Sequence, residues 1–217
     1  MNGYRGKEFW VRGGYALFGV AVIGLGASIL QVGGVGVDPY TALNIGVSDR
    51  LGWTLGSYQL LSNIVLFIPV LIWGRRYIGW GSAINMVLTG FFIDLFSAIL
   101  ELFVPDEPSL LVMTVFFVLG AVTFAFGASA YMTADLGTAP YDAIAPMIVD
   151  HTGWEYQKVR VPQDILVVAS AVFFRGPVGF GTVITAFFNG PLIQFFTKRV
   201  NQPVLEKLSG SSATQGG

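Results

Sequence analysis

The 217-residue chain has no cysteine and a single histidine, His151. Without cysteine there is no disulfide framework, thiolate metal site, iron–sulfur cluster or cysteine nucleophile. A usual zinc site needs several nitrogen or sulfur ligands, so one histidine cannot build it. Charge is scarce as well: 12% of the residues are charged, against roughly 25% in a soluble domain. The formal net charge is −1. No basic stripe or nucleic-acid fold signature is present, which excludes nucleic acid as a partner. There is no nucleophile elbow, no paired catalytic carboxylates and no HExxH helix. The chain is therefore not expected to be an enzyme, and no metal or cofactor is called for.

Apolar residues are abundant. They make up 53% of the chain, the mean hydropathy is +0.66, and 28 residues are glycine. That pattern belongs to a polytopic membrane protein, in which small residues let helices approach closely. A spanning helix needs about 20 mostly apolar residues. Six stretches qualify: residues 13–34, 56–74, 79–104, 110–132, 155–174 and 178–197. The fifth is the weakest, because Lys158, Arg160, Pro162 and Asp164 fall in its first half; a re-entrant segment is the alternative there. The first resembles a signal peptide after Arg5, Lys7 and Arg12, but it is long for one and no A-x-A site follows.

Basic residues set orientation. With the N-terminus inside, Arg5, Lys7, Arg12, Arg75, Arg76, Lys158, Arg160, Lys198, Arg199 and Lys207 are cytoplasmic. Only Arg50 and Arg175 are outside, and the loop after the third span holds Glu101, Asp106 and Glu107. Both termini are then cytoplasmic. The divisions are a cytoplasmic N-terminus (1–12), a three-span unit (13–104), an outer loop (105–109), a second three-span unit (110–200) and a cytoplasmic tail (201–217), disordered from about residue 205.

The chain matches itself. Residues 36–53, GVDPYTALNIGVSDRLGW, align with 137–154, GTAPYDAIAPMIVDHTGW, and seven of eighteen positions coincide. After a one-residue gap, residues 79–96 align with 179–196 at six of eighteen. Each unit holds three spans, and an odd number forces the second to enter from the opposite side. The expected fold is one all-α membrane domain: six transmembrane helices as two inverted three-helix repeats, each with a short helix after its first span.

The short helices carry the motif Gly36, Pro39, Tyr40 in one copy and Gly137, Pro140, Tyr141 in the other. Proline suits a first helical turn, and Gly52 and Gly153 suit the ends. About eleven helical residues reach only about 16 Å, half a bilayer. Two readings stand side by side: an amphipathic helix in the interface, or a half-helix dipping into the bundle.

Polar residues inside the spans are the candidates for a substrate site. Ser82, Asn85 and Thr89 share one helix face, as do Thr182, Thr185 and Asn189 at the corresponding positions. Gln59 and Asn63 correspond to Arg160 and Asp164, so a neutral amide pair faces an ion pair across the repeat. Asp142 sits near the N-terminus of the second short helix. Ionisable groups inside a span are costly and face a cavity or each other. Gln59, Asn63, Asn85, Asp142, Arg160, Asp164 and Asn189 form the candidate set. Each has a structural alternative: interhelical hydrogen bonding for the amides, a helix cap for Asp142, snorkelling to the interface for Arg160. Asp94 reads equally as a cavity carboxylate or an interfacial one.

Leu136-Gly137-Thr138-Ala139-Pro140-Tyr141-Asp142 looks like an LGxxPWD-type signature, and Arg76, Gly79, Gly81, Ser82, Gly90 and Asp94 resemble a basic-GxG-[ST] stretch ending in Asp. On these motifs the chain resembles the bacterial YczE/YyaS/YitT family of integral membrane proteins, over residues 13–197. The first copy departs from the pattern with Thr41 where Asp is expected. The resemblance implies a multispanning bacterial plasma-membrane protein and no particular activity. The architecture suggests a permease for a small molecule or ion, embedded in the lipid bilayer. The alternative is a non-transporting protein that assists a partner, since Gly-rich faces suit helix association, homo-oligomers included.

The charge asymmetry predicts a labelling pattern. With no native thiol, Arg75→Cys should react only from the cytoplasmic side and Asp106→Cys only from outside; the reverse pattern overturns the orientation.

Overall fold

The computed structural model describes residues 6–104 and 109–210, with residues 187 and 188 as backbone only. Among the described residues all regular structure is helical. Nine α-helices run in the order α1 (Lys7–Val32), α2 (Pro39–Leu51), α3 (Leu55–Trp73), α4 (Trp80–Leu100), α5 (Leu110–Thr133), α6 (Pro140–Thr152), α7 (Tyr156–Phe173), α8 (Phe180–Phe196) and α9 (Gln202–Ser209). The expected outer loop, with Asp106 and Glu107, falls largely outside the described residues.

Four helices, α1, α3, α4 and α5, are long and apolar enough to cross a membrane. The expected fifth and sixth spans form helices α7 and α8 and fall short of that standard. Lys158, Arg160 and Asp164 lie within α7, and α8 has 17 residues. The surface is apolar where a soluble protein's would be charged. Ile64, Val65 and Ile68 on α3, Val118 and Leu119 on α5, and Ile165 and Leu166 on α7 are all exposed. An apolar exterior of this extent fits a lipid environment.

The interior is mostly apolar and rich in alanine and valine, with buried Ser, Thr and Asn among them. Helix α1 packs most heavily on α5, and the contact is glycine against backbone. A Cβ at Gly19 would stand 2.4 Å from the Tyr131 backbone N, and one at Gly127 would stand 2.5 Å from that of Ile23. One at Gly26 would stand 2.4 Å from the Phe124 N, and one at Gly120 2.7 Å from the Leu30 side chain. Gly19 and Gly120, and Gly26 and Gly127, are repeat partners in the sequence.

The short helices begin and end as their residues dictate. Pro39 and Pro140 occupy the first turns, and Gly52 and Gly153 end the helices at φ +67° and +70°. Each helix has thirteen residues, about 20 Å long and slightly longer than the spacing suggested. Neither lies on the surface. Pro39, Tyr40, Thr41, Ala42, Asn44 and Ile45 are buried, as are Pro140, Tyr141, Ala143 and Ala145. Helix α2 packs on α3 and α7, and α6 packs on α3 and α7. Both short helices thus pack against the bundle through their first turns.

One expectation is corrected. The tail does not lose structure at residue 205: α8 continues through a π-helical turn, Thr197–Asn201, into α9. Asn201 is fully buried, accepting from the Tyr15 hydroxyl (2.5 Å) and donating to Ser129 Oγ (2.8 Å). Leu205 is buried beside it. A single polar residue with apolar neighbours three and four positions on gave too little pattern to announce this. Residues 211–217 lie outside the described residues.

The α1–α5 contact sets a stability prediction. Gly19→Leu should lower stability by about 1–3 kcal/mol through overpacking, read as the unfolding temperature in detergent. Gly14→Ala, with open space around it, should be neutral or slightly stabilising; equal effects at both sites contradict the packing.

Candidate functional site

The two short helices point their N-termini at each other. The Tyr40 and Tyr141 rings stack at 4.6 Å between centroids and 10° between planes. These residues are each second in their helix, so the stack brings two half-helix ends together in the interior. A cavity of about 1090 Å³ lies against them.

Helix breaks make this meeting feasible. After α1 the chain turns through Gly36 at φ +90°, and after α5 through Gly137 at φ +110°, conformations that favour glycine. Breaking a helix frees backbone groups that lipid cannot satisfy. Each break docks on the third helix of the other sequence repeat. The Gly181 N–H donates to Val35 O (2.8 Å), and the Gly81 N–H to Leu136 O (2.7 Å). Ser82 and Thr182 each accept from the N–H of their own helix's preceding glycine, Gly79 and Gly179, at 3.1 Å. Ser82 and Thr182 thus serve the helix starts. The rest of those two polar faces, Asn85 and Thr89 with Thr185 and Asn189, lines the cavity.

The structure brings all seven candidate residues to that one cavity: Gln59, Asn63, Asn85, Asp142, Arg160, Asp164 and Asn189. Tyr40 and Tyr141, Pro39 and Gly137 line it too. Gly36 and Pro140 support it from behind, in the break and the first helical turn.

Arg160 organises one side. Its Nε donates to Asp164 Oδ2 at 2.9 Å and its Nη1 to Asp142 Oδ1 at 3.0 Å. The guanidinium lies 5.0 Å from the Tyr141 ring centroid, within cation–π range. The Tyr141 hydroxyl donates to Asp164 Oδ1 at 2.6 Å. Arg160 is held within this cluster, and Asp142 shares its guanidinium and does not cap α6, which has no side-chain cap. The Arg160 and Asp164 side chains are each 24% exposed and that of Asp142 is 51% exposed, so the cluster is partly open to solvent.

The other side repeats the geometry with neutral groups. The Tyr40 hydroxyl donates to Asn63 Oδ1 at 2.9 Å, the counterpart of Tyr141 with Asp164. Asn63 Nδ2 then donates to Met86 O at 3.2 Å. Gln59, the counterpart of Arg160, is buried, and its Oε1 has no hydrogen-bond partner.

Asp38 is the residue that the motif comparison passed over. It stands immediately before Pro39 and caps α2, its Oδ1 accepting from the Thr41 N–H at 3.1 Å. Its Oδ2 is buried without a partner. Position 41 thus carries no carboxylate, and the acidic residue of this copy of the motif stands three residues upstream. An Asp-Pro pair at a helix start was the signal available.

Asp94 is neither a cavity group nor an idle interfacial one. It lies outside the cavity lining and accepts from the backbone N–H groups of Leu55 (3.2 Å) and Gly56 (2.7 Å), closing the start of α3 onto α4. At the cavity rim, Arg76 and Tyr77 bind Asp150 of α6: the Tyr77 hydroxyl donates to Asp150 at 2.6 Å, and Arg76 forms an ion pair with it. Partial burial and that bond push the Tyr77 hydroxyl above its ordinary pKa.

Residues 10–198 match a protein family described as a family of unknown function, DUF6198, and the chain belongs to it. It is 30% identical over 190 residues to the uncharacterized membrane protein YczE of Bacillus subtilis (strain 168), covering 87% of this chain and 86% of that one. It is 28% identical over 193 residues to the uncharacterized protein YyaS of the same organism, covering 89% and 96%. An uncharacterized protein of Haemophilus influenzae is 26% identical over 182 residues, covering 83% and 80%. No solved structure matches. The chain is a YczE/YyaS-like membrane protein.

The Arg160 cluster yields a prediction. Asp164→Asn should destabilise the protein by about 1–3 kcal/mol, since Arg160 and the Tyr141 hydroxyl both lose an ionised acceptor. A double-mutant cycle with Tyr141→Phe should show coupling above about 0.5 kcal/mol; additive losses contradict the shared bond.

Proposed function

We propose that this DUF6198 family member is a plasma-membrane transporter of a small solute, working by alternating access between two inverted three-helix halves. In this reading α7 and α8 complete six spans, with both termini cytoplasmic. The ten-to-two distribution of basic residues supports that orientation, and the exposed apolar side chains of α7 and α8 support their contact with lipid. The protein binds and moves its solute without covalent chemistry.

The observation that carries the reading is an asymmetry between two equivalent seams. On one side α3 closes against α4: a Cβ at Gly90 would meet Gly56 Cα at 2.8 Å and Gln59 Oε1 at 3.0 Å. Asp94 locks that seam through its two backbone bonds. The corresponding residue on α8 is Gly190, and among the described residues nothing lies within 4 Å of a Cβ placed there. Gly190 lines the cavity. Two repeats with matching sequence thus hold different arrangements, one seam shut and one open. With α3 starting at the outer face, this is a state shut to the outside and open to the cytoplasm. Exchange of the two arrangements carries the site across, with Gln194, the counterpart of Asp94, closing on the start of α7.

The test is reconstitution in liposomes and a solute-flux screen with and without a proton gradient. Saturable flux of at least one solute is expected. Gly190→Leu leaves the present state intact and obstructs closure of the open seam, so flux should fall at least about tenfold, equivalent to ~1.4 kcal/mol against the closed state, with the unfolding temperature unchanged. Absence of flux for every solute sinks the transport reading and leaves the partner-assisting role. Wild-type flux in Gly190→Leu sinks the seam mechanism.

A further inference from the structure

The two sides of the cavity differ in an ion pair, Arg160 and Asp164 on one and the amides Gln59 and Asn63 on the other. Around Tyr141 a guanidinium is already present, Arg160, held by Asp142 and Asp164 over the aromatic face. The repeat carries Tyr141 to Tyr40 and Arg160 to Gln59. Tyr40 keeps the ring, and Asp38 restores a carboxylate. Gln59 puts a neutral amide in place of the cation.

Two oxygen atoms on that side have no donor. Gln59 is 4% exposed and lines the cavity where it borders the shut α3–α4 seam, and its Oε1, beside Gly90, is unpartnered. Asp38 lines the cavity, and its Oδ2 is buried and unpartnered. Asn63 does not relieve them, since its amide is engaged with Tyr40 and Met86. A buried acceptor without a donor is costly, and an ionised one more so. Both atoms lack a donor, and one belongs to a carboxyl group.

We propose that this side of the cavity binds a hydrogen-bond-donating organic cation, an ammonium or guanidinium group, with Asp38 and Gln59 accepting its N–H bonds. The route by which the cation arrives rests on the transport reading; its recognition rests on these residues. Arg160 shows the same chemistry within one chain, a cation between carboxylates and a tyrosine face. An anion meets the wrong surroundings, because Asp38, Asp135, Asp142 and Asp164 line the cavity against Arg76 and Arg160, and both arginines are already paired with carboxylates. A neutral solute leaves Asp38 uncompensated. A bare divalent ion needs about six or more oxygen ligands, and two are on offer.

The experiment uses the full chain in lipid nanodiscs. The unfolding temperature is followed against methylammonium, guanidinium, sodium, acetate and glycerol at fixed ionic strength. Methylammonium or guanidinium should stabilise the protein saturably, and the other three should not. Asp38→Asn preserves the helix cap, since Asn caps as well as Asp. It should weaken the organic cation at least about tenfold, the loss expected for a charge-assisted bond. Gln59→Met, similar in volume, should weaken it severalfold. Saturable binding of acetate, glycerol or sodium instead, binding indifferent to both substitutions, or no response to either organic cation overturns the assignment. Flux of the same solutes in liposomes separates the two readings. Cation binding without flux of these or any other screened solute removes transport and leaves the site. Flux of a solute that ignores Asp38→Asn removes the site and leaves transport.

Discussion

Backbone left unpaired inside lipid is the constraint on which this fold turns. A protein that breaks two long helices in an apolar bundle must find partners for every N–H and C=O it frees. Here the broken segment after α1 is met by the start of α8, and the one after α5 by the start of α4. The approach is so close that a Cβ at Gly79 or Gly179 would overlap a carbonyl oxygen. Neither sequence repeat is self-sufficient, because each supplies the backbone partners of the other's break. The meeting of the short helices at Tyr40 and Tyr141 follows from this exchange.

Internal polar groups then sort by what each side must neutralise. Two helix N-termini, each with partial positive character, converge near Arg160, and Asp38, Asp142 and Asp164 are gathered around them. The amides Asn63 and Gln59 take the positions of Asp164 and Arg160 on the opposite side. Similar backbone frames thus hold a salt-bridged cluster and one built on amides. The pairing Tyr40–Asn63 beside Tyr141–Asp164 is direct evidence that the same hydrogen-bond geometry accommodates either.

Much of this was legible in the residues. Long apolar runs located the helices, because lipid demands them, and Pro and Gly marked the ends of α2 and α6, because backbone geometry demands those. The costs of burying charge led to Arg160 and Asp164, and the repeat led to Gln59 and Asn63. What stayed hidden was relational. Asp38 was invisible as a site residue because motif comparison looked for its carboxylate at position 41, and only the fold shows the two places to be neighbours in function. Asp94 works on the backbone of a different helix, which spacing along the chain cannot disclose. The buried Asn201 network joins residues 15, 129 and 201, separations at which periodicity says nothing.

That last network has a mechanical consequence. Helix α8 runs into a π-helical turn whose final residue is bolted to α1 and α5, and α9 packs beyond it. The lower end of α8 is therefore an anchor point, and the helix cannot slide along its axis without tearing Asn201 from Tyr15 and Ser129. Any swing of α8 is a rotation about a fixed foot. The interruption at Pro191 and the π turn itself are the two places where its backbone ladder is weakest, so the lever arm is short and its fulcrum is built into the sequence.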